Sequence, residues 1–105
     1  MTLGQKQRKF TLMLASLVAY LYEQGYELSL GRGRVSKKAN EADGGHKRSL
    51  HLQGLAQDFN IYKDGKWLKD GTGHDIGHDY WDTIGGAERI EGDLNHYSYP
   101  HNGMR

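Results

Sequence analysis

An amphipathic stretch near the N-terminus constrains the fold of this chain more than any other feature. Apolar side chains recur there at the three- and four-residue intervals of one helix face. They are Phe10, Met13, Leu14, Leu17, Val18 and Leu21. Thr2 and Gln5 have the spacing of a capping box, and Gly25 is a natural helix stop. The pattern predicts a helix over residues 3–24 that buries its apolar face in a core.

The same segment also has the order of a signal peptide, because basic residues precede the apolar residues 10–22. This apolar run is shorter than the ~20 residues of a typical membrane-spanning helix. No small-x-small cleavage site precedes a clean mature start. The amphipathic pattern favours a core helix, so we expect no stable membrane insertion and synthesis in the cytoplasm.

Short β-prone segments separated by turn signals follow the helix. The predicted strands are residues 26–30, 55–62 and 94–99. The sequence Lys63–Lys66 predicts a hairpin turn into a returning strand that starts at Trp67. Residues 79–84 predict a short helix that ends at a Gly-Gly pair. One long helix followed by several short strands favours an α+β fold.

Two glycine-containing segments, residues 31–48 and 69–77, are predicted as loops. Within the first, residues 36–42 could form one helical turn with Ser36 as its cap. We expect the 105 residues to form one domain spanning positions 1–105.

Composition limits the available chemistry. The chain has no cysteine, which excludes disulfide scaffolds, thiolate metal sites and a cysteine nucleophile. A bound metal would therefore need His, Asp, Glu or backbone oxygen ligands. The net charge is only +1, which gives no strong push toward nucleic acid.

Two stretches bring together side chains that could do chemistry. The first, Ser49–Asp58, contains His51 and ends in a carboxylate within a predicted strand. The second is Asp93-Leu94-Asn95-His96. Two histidines and one aspartate are a plausible three-ligand set for catalytic zinc, which keeps a fourth position open for water. Asp93 is then a spare carboxylate that could accept a proton from that water.

The pattern Ser-x-His-x-x-Gly-x-Ala-x-Asp, followed later by Asp-x-x-His, resembles a family of zinc peptidases. It comprises D-Ala-D-Ala carboxypeptidases and L-alanyl-D-glutamate endopeptidases, and residues 8–99 are most similar to its phage endolysin-like branch. The fixed positions of the first motif are Ser49, His51, Gly54, Ala56 and Asp58. The resemblance implies an N-terminal helix packed on a small, mainly antiparallel sheet, as in the Hedgehog/D,D-peptidase fold.

The resemblance also implies residue roles. The implied zinc ligands are His51, Asp58 and His96. Asp93 would be the general base, although it could instead orient His96, and Glu91 is its competitor for the base role. The family places an arginine before the first motif, which polarises the scissile carbonyl or binds substrate. Arg34 is the first candidate and Arg32 the second; we also count Arg32 and Ser49 as candidates for substrate binding.

The implied function is zinc-dependent hydrolysis of peptidoglycan, at the L-alanyl-D-glutamate bond of the stem peptide. A D-Ala-D-Ala carboxypeptidase and a non-catalytic, zinc-containing module that binds the cell wall are the alternatives. We expect a monomer whose partner is the stem peptide and not nucleic acid. A phage lytic protein of this kind would reach the wall after another protein opens the membrane.

The basic residues of the first loop allow three interpretations. They are Arg32, Arg34, Lys37, Lys38, Lys47 and Arg48. The run could be a solvated surface, or it could attract the carboxylates of a stem peptide. Nucleic-acid binding is the third option, and the lack of aromatic residues inside the run weakens it.

The remaining histidines have less specific signals. His74 and His78 have the i, i+4 spacing that could bind a second metal on a helix, but Gly71, Gly73 and Gly77 argue against a firm helix. We therefore predict a solvated loop with surface histidines there. The other two histidines, His46 and His101, are predicted to be surface residues. The aromatic residues Tyr80, Trp81, Tyr97 and Tyr99 are predicted to serve packing.

Overall fold

A computed structural model describes residues 1–45 and 48–105. The elements are α1 (Leu3–Glu23), β1 (Glu27–Leu30), α2 (Lys37–Ala42), a 3₁₀ helix (Leu50–Gln53), β2 (Ala56–Lys63), β3 (Lys66–Trp67), α3 (His74–Thr83) and β4 (His96–Ser98). The predicted α+β class is confirmed, as is the N-terminal helix against a mainly antiparallel sheet. The predictions for His46 and Lys47 lie outside the described residues.

Helix α1 begins as its sequence predicts. The Gln5 backbone N–H donates to the Thr2 hydroxyl at 3.1 Å, and the Thr2 N–H donates to the Gln5 side-chain oxygen at 2.8 Å. These two bonds complete the capping box and satisfy donors that the first turn would leave unpaired. The helix buries its apolar face in the core through Phe10, Met13, Leu17 and Leu21.

Strand β2 is the centre of the sheet, and all of its pairings are antiparallel. Strand β1 lies along one edge of β2, from Phe59 to Tyr62. Strands β3 and β4 share the other edge, β3 beside Tyr62 and Lys63 and β4 beside residues 56–58. In the β2–β4 register, Asp58 is directly opposite His96. The sheet therefore places two of the predicted ligands side by side.

The β2–β3 hairpin confirms the predicted turn. Its two central residues, Asp64 and Gly65, have φ values of 53° and 77°. Positive φ at both positions is the geometry of a type I′ turn, whose twist matches that of the flanking strands. Asp and Gly are residues that tolerate this conformation at low cost.

Helix α3 differs from the prediction at its start. It begins at His74, so the predicted loop over residues 69–77 is wrong at its C-terminal end. Gly73 caps the helix with a φ of 89°, which a glycine adopts without strain. His74 and His78 are 4% and 1% exposed, so the prediction of surface histidines is also wrong.

The aromatic residues behave largely as predicted. Trp81 and Tyr97 are fully buried, and Tyr80 stacks on Tyr20 of α1 with ring centroids 4.2 Å apart.

His101 is only partly exposed, and its Nδ1 lies 2.9 Å from the ammonium of Lys6. Within the described parts of the chain, no helix is both long and apolar enough to cross a membrane.

Candidate metal centre

Three side chains from separate elements meet beside the β2–β4 pairing. They are His51 from the 3₁₀ helix, Asp58 from β2 and His96 from β4. One oxygen of Asp58, Oδ1, lies 3.2 Å from His51 Nε2 and 3.3 Å from His96 Nδ1. One ligand atom from each residue can be chosen so that all three lie within 4.8 Å of one another. The three predicted ligands are therefore brought together, in a site where both histidines are buried.

Local hydrogen bonds hold His51 in place. The Ser49 hydroxyl accepts from the His51 backbone N–H at 3.2 Å and caps the 3₁₀ helix. The ring nitrogen Nδ1 lies 2.9 Å from the carbonyl oxygen of Gly33. A carbonyl only accepts, so Nδ1 carries the proton and donates. In the neutral ring Nε2 is then left with its lone pair facing Asp58, which is the state that a metal ligand needs.

His96 completes the set from the opposite strand. Its ring lies edge-on to that of His51, with centroids 5.1 Å apart and an angle of 69° between the planes. Its Nε2 is buried and has no hydrogen-bond partner in the described part of the chain. The backbone N–H of His96 donates to the Asp93 carbonyl at 3.1 Å, which fixes the turn that leads into β4.

Asp58 supplies the negative charge of the site. Burial alone would raise the pKa of its carboxyl, but hydrogen bonds and positive charge from the imidazoles of His51 and His96, when these rings are protonated, outweigh it and lower the pKa to about 2. The carboxylate is therefore ionised at neutral pH. Its Oδ1 is buried without a well-directed hydrogen bond, although two imidazole nitrogens lie close by.

This donor set fits a metal ion. A buried carboxylate oxygen that lacks a hydrogen bond is costly, and a cation between it and the imidazole nitrogens would offset that cost. Two imidazole nitrogens and one carboxylate oxygen are ligands that zinc accepts, and three protein ligands leave a fourth position for water. His51, Asp58 and His96 could therefore hold a metal ion.

A β-bulge places Arg32 beside the site. The Gly31 N–H donates to the Asp58 carbonyl at 2.9 Å, and the Asp58 N–H donates to the Arg32 carbonyl at 2.8 Å. Two residues on one strand thus oppose a single residue on β2, which is the bulge pattern. The Arg32 guanidinium pairs with Asp43 through Nη1 at 2.8 Å. Its Nη2 is buried and has no hydrogen-bond partner among the described residues.

Two further predicted residues lie at the surface. Asp93 is exposed in the turn before β4, three residues from His96. Arg34 is exposed and lines a shallow cavity between α1 and the start of β2, together with Gln7 and Gly54. The structure records no side-chain contact from either residue to the three ligands within the described ranges. Their catalytic roles stay predictions.

A second buried histidine pair was missed by the sequence analysis. His74 Nδ1 lies 2.8 Å from the Tyr97 hydroxyl, and His78 stacks on the Tyr97 ring with centroids 4.1 Å apart. The Nε2 of His78 donates to the Leu94 carbonyl at 2.7 Å. The i, i+4 spacing on a true helix was the available signal, but no acidic side chain joins this pair in a described metal-binding group. The pair joins α3 to Tyr97 of β4 and to Leu94, two residues before that strand.

No protein-family model matches the chain, and no curated protein matches it. The function is therefore inferred from the residues themselves. They establish an α+β fold with a buried His-Asp-His set that could hold a metal ion.

Proposed function

We propose that this chain is a zinc-dependent peptidase that hydrolyses the L-alanyl-D-glutamate bond of the peptidoglycan stem peptide. The observation that carries the proposal is the convergence of His51, Asp58 and His96, whose ligand atoms lie within 4.8 Å of one another. These residues come from the two sequence stretches that resemble the zinc peptidases of bacterial cell walls. The fold class agrees with the one that the resemblance implies.

The chemistry of the donor set supports zinc as the cofactor. Held by these three residues, zinc would lower the pKa of a water molecule toward ~7 and polarise a carbonyl group. The protein contributes a fixed geometry. Gly33 sets the tautomer of His51, and the β2–β4 register sets the distance from Asp58 to His96.

Asp93 is the candidate for the proton-transfer group. Its carboxylate is exposed, and its backbone carbonyl is bonded to the N–H of His96, so the residue is tied to one of the ligands. From this turn the carboxylate could accept a proton from the attacking water and later return it to the leaving amine. Glu91, also exposed two residues earlier, is the natural control for this assignment.

Arg32 is a second candidate, beside Arg34, to meet a substrate carbonyl or carboxylate. The bulge sets its backbone against Asp58, and one guanidinium nitrogen, Nη2, is buried with no hydrogen-bond partner in the described chain. A guanidinium donates well to oxygens that carry or develop negative charge. Separate Arg32→Ala and Arg34→Ala variants would show which of the two supports activity.

The test is mass spectrometry of purified peptidoglycan after incubation with the zinc-loaded protein. Cleavage at the proposed bond leaves a free carboxyl on L-alanine and a new amino terminus on D-glutamate. Loss of the terminal D-alanine alone would instead support the carboxypeptidase. Absence of any product, with stoichiometric zinc and folded protein, would contradict both peptidase assignments.

Matched variants test the assigned base in the same assay. Asp93→Ala should remove hydrolysis while leaving zinc binding largely intact, and Glu91→Ala should keep most of the activity. The assignment of Asp93 is wrong if its variant stays as active as the parent protein. If Glu91→Ala is the inactive variant, the base is Glu91.

One observation favours a second candidate function, a non-catalytic module that contains zinc and binds the cell wall. Within the described ranges, the Asp93 carboxylate makes no side-chain contact with the three ligands, and Arg34 lines a shallow cavity that none of these ligands lines. A module of this kind would bind zinc and sediment with purified cell walls, yet release no peptide product from them.

A further inference from the structure

We propose that a cleft along the edge of β2 binds a neutral sugar ring of the glycan strand. This inference rests on the proposed function, because it assigns a binding site to the glycan, the part of peptidoglycan next to the bond that the peptidase would cut. The cleft, which we call the edge cleft, occupies the gap between β3 and β4. Its main lining residues are Phe59, Asn60, Trp67, Leu68, His74 and Asn95.

The edge cleft adjoins the metal centre through the backbone. Phe59 and Asn60 directly follow Asp58 on β2, and Asn95 directly precedes His96. The Phe59 N–H donates to the Asn95 carbonyl at 2.9 Å, which joins the two sides of the cleft at the end nearest the ligands. The cleft therefore lies next to the metal centre along β2 and β4, although none of the three ligands lines it.

The size and lining of the edge cleft suit a small amphipathic ligand. Its volume is about 380 Å³, within the ~300–1,000 Å³ range of ligand sites. Phe59, Leu68 and Leu94 supply apolar surface. At the rim, Trp67 is 50% exposed and adds an accessible indole. Apolar walls with an exposed indole match the C–H face of a pyranose ring.

The polar groups of the edge cleft suit hydroxyl and amide partners. Asn60 and Asn95 bring carboxamides, each of which can donate and accept. His74 has its Nδ1 engaged by the Tyr97 hydroxyl, so only Nε2 is left for a ligand. Burial, with the nearby His78, lowers the pKa of His74 to about 4, so the ring is neutral at pH 7.

The charge balance favours a sugar over the stem peptide in this cleft. Among the described lining residues, the ionised side chains are Lys69 and Asp70, whose charges cancel. The Lys69 ammonium lies 4.9 Å from the centre of the Trp67 ring, and Asp70 accepts from the Thr72 N–H at 3.0 Å. Stem peptides carry carboxylates, which a cleft without net charge does not select. N-acetylglucosamine, the uncharged sugar of the glycan, needs no such partner.

The test uses an oligosaccharide of N-acetylglucosamine, the uncharged sugar of the glycan, titrated against the full chain with and without a metal chelator. Isothermal titration calorimetry is a suitable readout, because it reports binding by the parent protein and by variants that lack Trp67 alike. We expect saturable binding that survives chelation. Trp67→Ala should weaken it at least tenfold, and Asn95→Ala should weaken it severalfold.

Tyr22→Ala is the matched control, because Tyr22 is 48% exposed and lies on α1 outside the edge cleft. It should leave sugar binding unchanged. No binding of the oligosaccharide to the folded protein would overturn the proposal, as would equal weakening by both aromatic substitutions. Binding of a sugar-free stem peptide that depends on Trp67 would assign the edge cleft to the peptide instead. Since neither zinc nor turnover is needed, failure here is distinguishable from failure of the proposed peptidase activity.

Discussion

The molecule contains two buried histidine pairs, and their partners differ in kind. His51 and His96 face a carboxylate oxygen that has no well-directed hydrogen bond. His74 and His78 instead meet a tyrosine hydroxyl and a backbone carbonyl. The first pair turns imidazole nitrogens toward an anion. The second pair uses one nitrogen of each ring to join α3 to Tyr97 and Leu94, and His78 Nδ1 is buried without a hydrogen-bond partner in the described chain. Histidine spacing and an unclaimed lone pair do not by themselves make a candidate metal site; the carboxylate charge distinguishes the first pair.

The largest expected difference between the pairs concerns zinc affinity. Asp58→Asn removes the anionic ligand and should weaken zinc binding more than a hundredfold, about 3 kcal/mol. His74→Gln should change zinc affinity by less than about threefold, because His74 contacts none of the three ligands. Competition with a zinc-binding dye measures both. A similar loss in both variants would mean that the two pairs act as one site.

The second difference concerns pH and the stability of the metal-free protein. The pKa of His74 is lowered from 6.5 to about 4, mainly by burial, so the unfolded chain binds a proton that the folded chain rejects. Stability should therefore fall as the pH drops from about 6.5 to about 4, by up to ~3 kcal/mol for this group. Urea unfolding across this range measures the slope. His74→Gln should flatten it, and an unchanged slope in that variant would exclude His74 as its source.

The third difference concerns packing around the second pair. A Cβ added at Gly77 of α3 would overlap the Tyr97 hydroxyl, the group that His74 contacts. Gly77→Ala should destabilise the fold by about 2 kcal/mol despite the better helix propensity of alanine. Gly4→Ala in α1 is the control, because its Cβ would meet only the end of the flexible Arg8 side chain. It should be neutral or slightly stabilising in the same unfolding assay.

The smallest expected effect concerns the cap of His51. Ser49→Ala removes the hydroxyl that accepts from the His51 N–H, and should cost about 1 kcal/mol of stability and up to about tenfold in zinc affinity. Ser36→Ala removes an equivalent cap from α2, where the hydroxyl accepts from the Ala39 N–H at 3.1 Å. It should cost similar stability without a change in zinc affinity. Equal zinc affinities in the two variants would show that the Ser49 cap does not position the ligand.

The sequence predicted the elements that are stabilised by interactions between residues close together in the chain. Helix α1 has its capping box and apolar stripe in its own sequence, and the β2–β3 turn requires the positive φ of Asp64 and Gly65. The start of α3 was predicted wrongly because its glycines, which suggested a loop, instead serve capping and tertiary packing. Gly73 adopts a positive φ as the cap, and Gly77 makes room for Tyr97. Neither the backbone conformation of Gly73 nor the contact of Gly77 with Tyr97 can be read from the sequence pattern.

The candidate site likewise has side chains that the sequence predicted and backbone contacts that it did not. The three ligands followed from residue types and motif spacing, and the β2–β4 register places two of them opposite each other. Contacts made by the backbone were not predictable, such as the Gly33 carbonyl on His51 and the bulge that sets Arg32 against Asp58. Such contacts depend on how a glycine-rich loop runs beside β2, and side-chain patterns do not encode that path.

We infer that the first histidine pair, with its carboxylate, is the metal centre. A crystal structure of the zinc-loaded protein, with anomalous data collected at the zinc edge, would test this inference. We expect one zinc per chain, bound by His51 Nε2, a carboxylate oxygen of Asp58 and His96 Nδ1. A zinc peak at His74 and His78, or no peak between the three predicted ligands in a zinc-saturated crystal, would contradict it.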